Sequence, residues 1–270
     1  MDDLRLSVAQ MNSVIGDVGG NLRRIGEICA EASASETDIL CLPELSLTGY
    51  AMPGSRETSI QDDHPAIGEI CDISADTGMC ICFGYAGSGP TIRQAVAENG
   101  KLAGHYDKTH LGERETVMEA GSSIDVVRTS KAVIGIQICW ESHFPEISTT
   151  LALKGADIIL MPFASGLAGE RRRSAWMRCL PARAYDNTAY IGACNMSGPN
   201  GAGTEFGGGA MILDPRGEVM CEDFSGKGIV TADLPSEPLE RIRRKGYESM
   251  RDLYFLDKRR PELYEVSKRI

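Results

Sequence analysis

Short runs of Val, Ile and Leu alternate along the chain with stretches of helical periodicity, a pattern that predicts an α/β fold. Leu4–Met11 reads as a strand and Asn21–Ala34 as an amphipathic helix, with Leu22, Ile25 and Ile28–Cys29 on one face. Asp38–Leu42 is continuously apolar after its first residue, as in a strand buried on both faces. Further strands are predicted at Met79–Ala86, Ala95–Glu98, Leu102–Tyr106 and Ala132–Ile138. A helix follows at about Pro145–Leu153, a strand at Asp157–Met161, and one long helical stretch from about Ser174 to Asn187. Ala189–Asn195, Gly209–Asp214 and Ile229–Asp233 complete the strands, and a helix opens the charged tail from Pro238.

Two segments match. Thr37–Pro43 (TDILCLP) and Ala156–Pro162 (ADIILMP) place an Asp, an apolar strand and a closing Pro in the same order. Two such halves predict two similar sheets, each covered by helices on one face and packed against the other sheet on the opposite face. No long Pro/Gly/Ser linker divides them, so residues 1–270 are expected to form a single domain; Gly198–Gly209 reads as turns between strands.

Composition narrows the function. With 28 Lys and Arg against 38 Asp and Glu, the net charge of −10 argues against nucleic acid or an anionic membrane as partner. At 42% hydrophobic and 24% charged residues the chain is that of a globular protein, not a disordered one. No apolar run approaches the roughly 18 residues of a membrane span, and the start Met1–Arg5 lacks a signal-peptide pattern. Nine cysteines without framework spacing read as reduced thiols of a cytoplasmic protein.

Three residues could carry chemistry. Cys139 ends a strand just before a helix, where unpaired N–H groups favour a thiolate, although a cysteine there also serves as a small buried apolar residue. Glu44 follows the apolar strand and Pro43; a dry setting raises a carboxyl towards neutrality and suits a general base, whereas a solvated loop acid would do nothing. Lys108, after another short strand, could hold negative charge on a substrate oxygen or simply face water.

The surrounding motifs decide between these readings. Pro-Glu-Leu-x-Leu-Thr-Gly-Tyr at Pro43–Tyr50, Tyr-x-Lys-Thr-His-Leu at Tyr106–Leu111 and Gly-Ile-Gln-Ile-Cys-Trp-Glu-Ser-His-Phe-Pro-Glu at Gly135–Glu146 closely resemble, in order and spacing, the three signature blocks of the nitrilase superfamily, the carbon–nitrogen hydrolases. Ala9-Gln10, Arg183–Asn187 and Asp257–Tyr264 extend the resemblance over most of the chain. It implies a four-layer α-β-β-α sandwich and a Glu–Lys–Cys triad at Glu44, Lys108 and Cys139. It also implies a second glutamate, which Glu115 matches best and Glu113 next. Thr116–Gly121 departs from the family's aromatic residue before the glycine.

The implied chemistry needs no metal or organic cofactor. Glu44 would deprotonate Cys139, the thiolate would attack an amide or nitrile carbon, and Lys108 with the Trp140 backbone N–H would hold the oxyanion, such donors contributing about 3–4 kcal/mol each. Glu115 would orient Lys108 or the water. The expected substrate is a small linear amide; a nitrile or an N-carbamoyl (ureido) compound is the alternative within the class, and a catalytically silent binding or scaffold role the alternative outside it. Glu113, His143 and Arg173 are the remaining candidates for substrate contact. One arginine of Arg171–Arg173, in a loop expected to border the pocket, could pair with a substrate carboxylate or belong to a solvated cluster. His110 and His143 flank the site in sequence, Glu141 is expected to fix the cysteine turn, and Cys71, Cys80 and Cys82 lack a nearby His at zinc spacing. A homodimer or larger homo-oligomer is expected, with the tail at about 238–270, including Tyr247, Leu253, Tyr254 and Phe255, packed on a neighbour.

Overall fold

The computed structural model describes residues 1–51, 56–244 and 254–264. One six-stranded sheet holds β1 (Leu4–Ala9), β2 (Ile39–Cys41), β3 (Cys80–Gly87), β4 (Thr91–Glu98), β5 (Lys101–Asp107) and β14 (Ile229–Leu234), in the order β14-β1-β2-β3-β4-β5. The other holds β6 (Val126–Arg128), β7 (Val133–Ile136), β8 (Ile158–Phe163), β9 (Tyr190–Asn195), β12 (Ala210–Leu213) and β13 (Val219–Asp223), in the order β13-β12-β9-β8-β7-β6. Each sheet is mixed: β1, β2 and β3 are parallel, as are β7, β8 and β9, with antiparallel strands outside them. The glycine-rich segment is a small antiparallel pair, β10 (Ser197–Pro199) and β11 (Glu205–Gly207).

Period-2 alternation explains the layering. Ile39 and Cys41 face Ile158, Leu160 and Cys194 across the space between the sheets. Their neighbours Leu40 and Leu42 point outward, onto Ile25 and Cys29 of α1 (Val18–Ala34) and Ile67 and Ile70 of α2 (Pro65–Thr77). Likewise Ile159 and Met161 meet Ile147 and Leu151 of α3 (Pro145–Leu153), Trp176 of α4 (Gly169–Met177) and Leu180 and Ala184 of α5 (Leu180–Asn187). Each such isoleucine or leucine contributes about 1.5–3 kcal/mol by leaving water. Gly192 lets the sheets touch: a Cβ there would come within 2.9 Å of Leu6 and 3.1 Å of Val8. The result is the expected α-β-β-α sandwich.

The sequence repeat has a structural meaning. Asp38 accepts the Arg5 N–H at 2.8 Å and Asp157 accepts the Val133 N–H at 3.1 Å, so each fixes the register of the central strand against its parallel neighbour. Other expectations need correction. The helix expected from Ser174 to Asn187 is two helices, because Pro181 in the first turn of α5 has no N–H and its ring excludes a continuous helix. The strand expected over Ala132–Ile138 ends at Ile136, where the chain begins to turn toward Cys139. Helix α2 and the short strands β6 and β13 were not anticipated. Helix α2 is capped by the His64 ring, which accepts the Ala66 N–H, and stops at Gly78 in the left-handed region.

No helix among the described residues is long and apolar enough to cross a membrane. In the tail, α6 (Glu237–Arg244) buries Leu239 and Ile242, and the Phe255 ring lies 5.2 Å from Tyr185 of α5. Tyr247 and Leu253, named for a contact with a neighbour, lie outside the described residues.

Candidate active site

The carboxyl ends of the parallel strands converge on one edge of the sandwich, where side chains that follow the strands can meet. Glu44 stands in the turn after β2. The Ser46 N–H bonds back to the Pro43 carbonyl at 3.2 Å, and Leu45 takes a positive φ of 53°. Gly84 on β3 is required beneath this turn, since a Cβ would lie 2.3 Å from the Leu45 nitrogen and 3.0 Å from the Pro43 oxygen. Lys108 follows β5 directly, with its N–H on the Ile92 carbonyl at 2.9 Å.

Lys108 Nζ donates to Glu44 Oε1 and to Glu115 Oε1, each at 2.7 Å, with all three side chains essentially buried. Glu115 is itself fixed: Tyr50 Oη donates to Oε1 and the Gly112 N–H to Oε2, both at 2.7 Å. The other oxygen of Glu44, Oε2, is buried with no hydrogen-bond partner, and the Cys139 thiol is the further side chain that interacts with this carboxyl. Burial lifts Glu44 to about 7 against the opposing pull of Lys108, with Glu115 adding to the rise. Burial also pushes the Cys139 thiol up to about 12, aided by the Glu44 carboxylate and opposed by Lys108. Burial alone would lower Lys108, but Glu44, Cys139 and Glu115 together hold it above the usual ammonium range. The proton therefore rests on the sulfur, beside a Glu44 oxygen that is left open to receive it. The ammonium stays charged.

Cys139 is partly exposed and adopts φ 48°, a left-handed conformation that disfavours a side chain and needs support from its surroundings. Glu141 supplies it. Its Oε2 accepts the Ile138 N–H at 2.7 Å, while Oε1 accepts from Tyr106 Oη at 2.7 Å, Thr109 N–H and Oγ1 at 2.8 Å and His110 N–H at 3.1 Å. One carboxylate thus ties the turn bearing the sulfur to the loop bearing Lys108. The Trp140 N–H lies in the first turn of the 3-10 helix Cys139–His143, where intrahelical acceptors are lacking.

The fold thus brings together Glu44, Lys108, Glu115 and Cys139, with the Trp140 N–H adjacent. Glu113 faces solvent two residues before the buried Glu115, so the geometry selects Glu115 as Lys108's second carboxylate. His143 is exposed and its ring rests 5.0 Å from Trp140; His110 is exposed against Phe144 at 4.5 Å. Arg173 does not join the cluster, because it is held at the surface by Glu222 at 2.8 Å. Its neighbour Arg172 is the buried one. One participant was missed in the sequence: Tyr50 closes the first motif and reaches Glu115. Of the three arginines singled out as a group, Arg172 shares a helix face with Trp176, a spacing of four that marks an inward position. Among the described residues no cluster of three or more His, Cys, Asp or Glu has the arrangement of a metal site.

A model of the carbon–nitrogen hydrolase family matches residues 5–244. The chain is 28% identical over 254 residues to the 2-oxoglutaramate amidase of Bacillus subtilis, covering 88% of this chain and 93% of that one. It is 25% identical over 277 residues to the N-carbamoylputrescine amidase of Arabidopsis thaliana, covering 93% and 90%. Solved structures of the amidase from Nesterenkonia sp. AN1 superpose with a TM-score of 0.80 at 26% identity, covering 96% of this chain and 95% of that one. One is in complex with butyramide; another shows covalent addition of the acetamide moiety of fluoroacetamide at the active-site cysteine. Fold and matches together define a hydrolytic enzyme. The chain belongs to the carbon–nitrogen hydrolase family, as an amidase-like member of the nitrilase superfamily.

Proposed function

We propose that the protein hydrolyses a small linear amide, releasing ammonia and a carboxylic acid through a thioester on Cys139. The observation that carries this reading is the open, buried Oε2 of Glu44 beside a protonated thiol, with the Lys108 ammonium held on the same carboxyl. On arrival of substrate, Glu44 takes the thiol proton and the sulfur attacks the carbonyl carbon. Lys108 has committed N–H groups to Glu44 and Glu115, and its remaining N–H joins the Trp140 N–H on the developing oxyanion. The C–N bond breaks as Glu44 returns the proton to the leaving nitrogen. Water then attacks the thioester, giving its proton to Glu44, and the acid leaves as the sulfur is reprotonated. Glu115 keeps Lys108 in line. Covalent addition at the active-site cysteine of the Nesterenkonia amidase supports the nucleophile, and its complex with butyramide supports the substrate class.

Ammonia release measured against a panel of linear amides, ureido acids and nitriles tests the reading. Amides should be turned over best, and rapid-quench mass spectrometry should find an acyl adduct on the wild type and none on Cys139→Ala. Nitriles as the only substrates, or turnover by the Cys139→Ala variant, would contradict it. The protein is expected to work as a homodimer or larger assembly in the cytoplasm. Leu153, Leu263 and Tyr264 expose apolar surface around the groove where α3 faces residues 259–264, and light scattering checks the assembly.

A further inference from the structure

Arg172 is a cation that the mechanism above does not use. It is 4% exposed, whereas Arg171 and Arg173 on either side reach solvent. Its guanidinium carbon lies 5.5 Å from the Phe163 ring centre and 5.4 Å from that of Trp176. Nη2 donates to Ser165 Oγ, and Nε is buried with no hydrogen-bond partner. Among the described residues no carboxylate pairs with Arg172; the titratable side chains near enough to act on it are the thiols of Cys139 and Cys179, and burial lowers its pKa. A guanidinium is a set of strong donors with a fixed positive charge, and burying it with Nε–H unmatched and no carboxylate beside it is unfavourable unless an anion completes it.

The surroundings are built rather than accidental. Phe163 ends β8, and the next two residues split their contacts: Ala164 turns its backbone N–H toward the Cys139 sulfur, and Ser165 holds Arg172. Asn195 locks this loop by accepting the Ser165 N–H at 2.8 Å and donating to the carbonyls of Ser165 at 2.9 Å and Gly208 at 2.7 Å. Gly209, at φ 119°, makes room for the arginine stem, since a Cβ there would lie 3.0 Å from Arg172 Cγ. Aromatic rings flank the guanidinium, and its in-plane N–H edge, only partly used by Ser165, is what a carboxylate binds side-on.

We propose that Arg172 is the anion-binding group of the substrate pocket, receiving the carboxylate of an ω-amido acid whose amide carbon lies against Cys139. This names the substrate class of the amidase reading and rests on it. Succinamate and its neutral counterpart butyramide are the probes, each assayed by ammonia release with wild type, Arg172→Gln and Arg172→Lys. The wild type should favour succinamate, and the ratio of its kcat/KM to that for butyramide should fall by about a hundredfold in Arg172→Gln, mostly through KM, with Arg172→Lys between them. Equal kcat/KM for the two probes in the wild type, or a ratio unchanged by Arg172→Gln, overturns the proposal and leaves the amidase reading standing. A readout independent of turnover separates the two ideas. Succinate should slow alkylation of Cys139 by iodoacetamide in the wild type and not in Arg172→Gln; absence of protection in the wild type also overturns it. Failure to hydrolyse any amide, with protection intact, would instead count against the amidase reading alone.

Discussion

The two sheets share a plan and differ in what they place at their carboxyl ends. In the first, β2 stops at Cys41 and Pro43 turns the chain, so that Glu44 stands over the strand end beside Lys108 and Glu115. In the second, β8 runs on through the matching Pro162 to Phe163, followed by Ala164 and Ser165, and no acid appears. The acids and ammonium of the first half satisfy one another apart from one oxygen of Glu44. The second half holds the sulfur and a buried arginine with an open hydrogen-bonding edge. A common scaffold therefore fixes where side chains emerge, and the few residues past each strand set what stands there: two carboxylates and an ammonium at one sheet, a thiol and a buried guanidinium at the other. Glu141 joins the two. It is the side chain whose oxygens bond both the lysine loop and the cysteine turn.

Removing the sulfur should break the division most completely. Cys139→Ala is expected to lose at least about 10⁴-fold in kcat while retaining its circular dichroism spectrum; appreciable residual activity would place the nucleophile elsewhere. On the opposite sheet, Glu44→Gln should lower kcat by about 10²–10⁴-fold, since only the proton acceptor is lost. The pH profile sharpens this point. Burial lifts Glu44 to about 7, so its protonated, inactive fraction grows below that pH. The kcat/KM of the wild type should then fall about tenfold per unit on the acid side, and a limb that persists unchanged in Glu44→Gln would belong to another group.

A smaller effect tests the bridge between the halves. Glu141→Gln keeps the size of the side chain but replaces an acceptor oxygen with a donor facing buried N–H groups, so the sulfur and the ammonium should drift relative to each other. A fall of about 10–100-fold in kcat is expected with little change in KM, and Cys139 alkylation should change its pH dependence; a purely structural role would leave that dependence alone. Smallest of all is Arg173→Ala. This arginine is partly exposed and tied to Glu222, so kcat/KM should stay within about twofold and the melting temperature within about 2 °C. A loss comparable to that of Arg172→Gln would erase the distinction drawn between the neighbouring arginines.

Much of this was legible in the residues. The apolar runs at Asp38–Leu42 and Asp157–Met161 announced the central strands because a strand buried on both faces has no polar positions to spare. Glu44, Lys108 and Cys139 stood out because chemistry-bearing residues followed strand ends inside recognisable motifs. Other features were hidden for identifiable reasons. Helix α2 carries a short apolar stripe, Ile67, Ile70 and Cys71, that a buried Ser74 rather than an apolar residue continues, and it packs on the sheet beneath it. Strands β6 and β13 are short and half-exposed, so their pattern hardly differs from that of a loop. The break before α5 could have been read from Pro181, whose ring forbids the preceding turn.

By itself the sequence determined the strand and helix periods, the doubled half and the kinds of side chain that leave each strand end, because these follow from local spacing along one chain. Which neighbouring residue turns inward was settled by packing. The motif ranked Glu115 ahead of Glu113, and the closed fold brings Glu115 to Lys108; among the arginines the sequence favoured Arg173, and packing turns Arg172 inward instead. Adjacent side chains differ by the angle at which they leave the backbone, and only the closed sandwich fixes which angle meets the sulfur and which meets water.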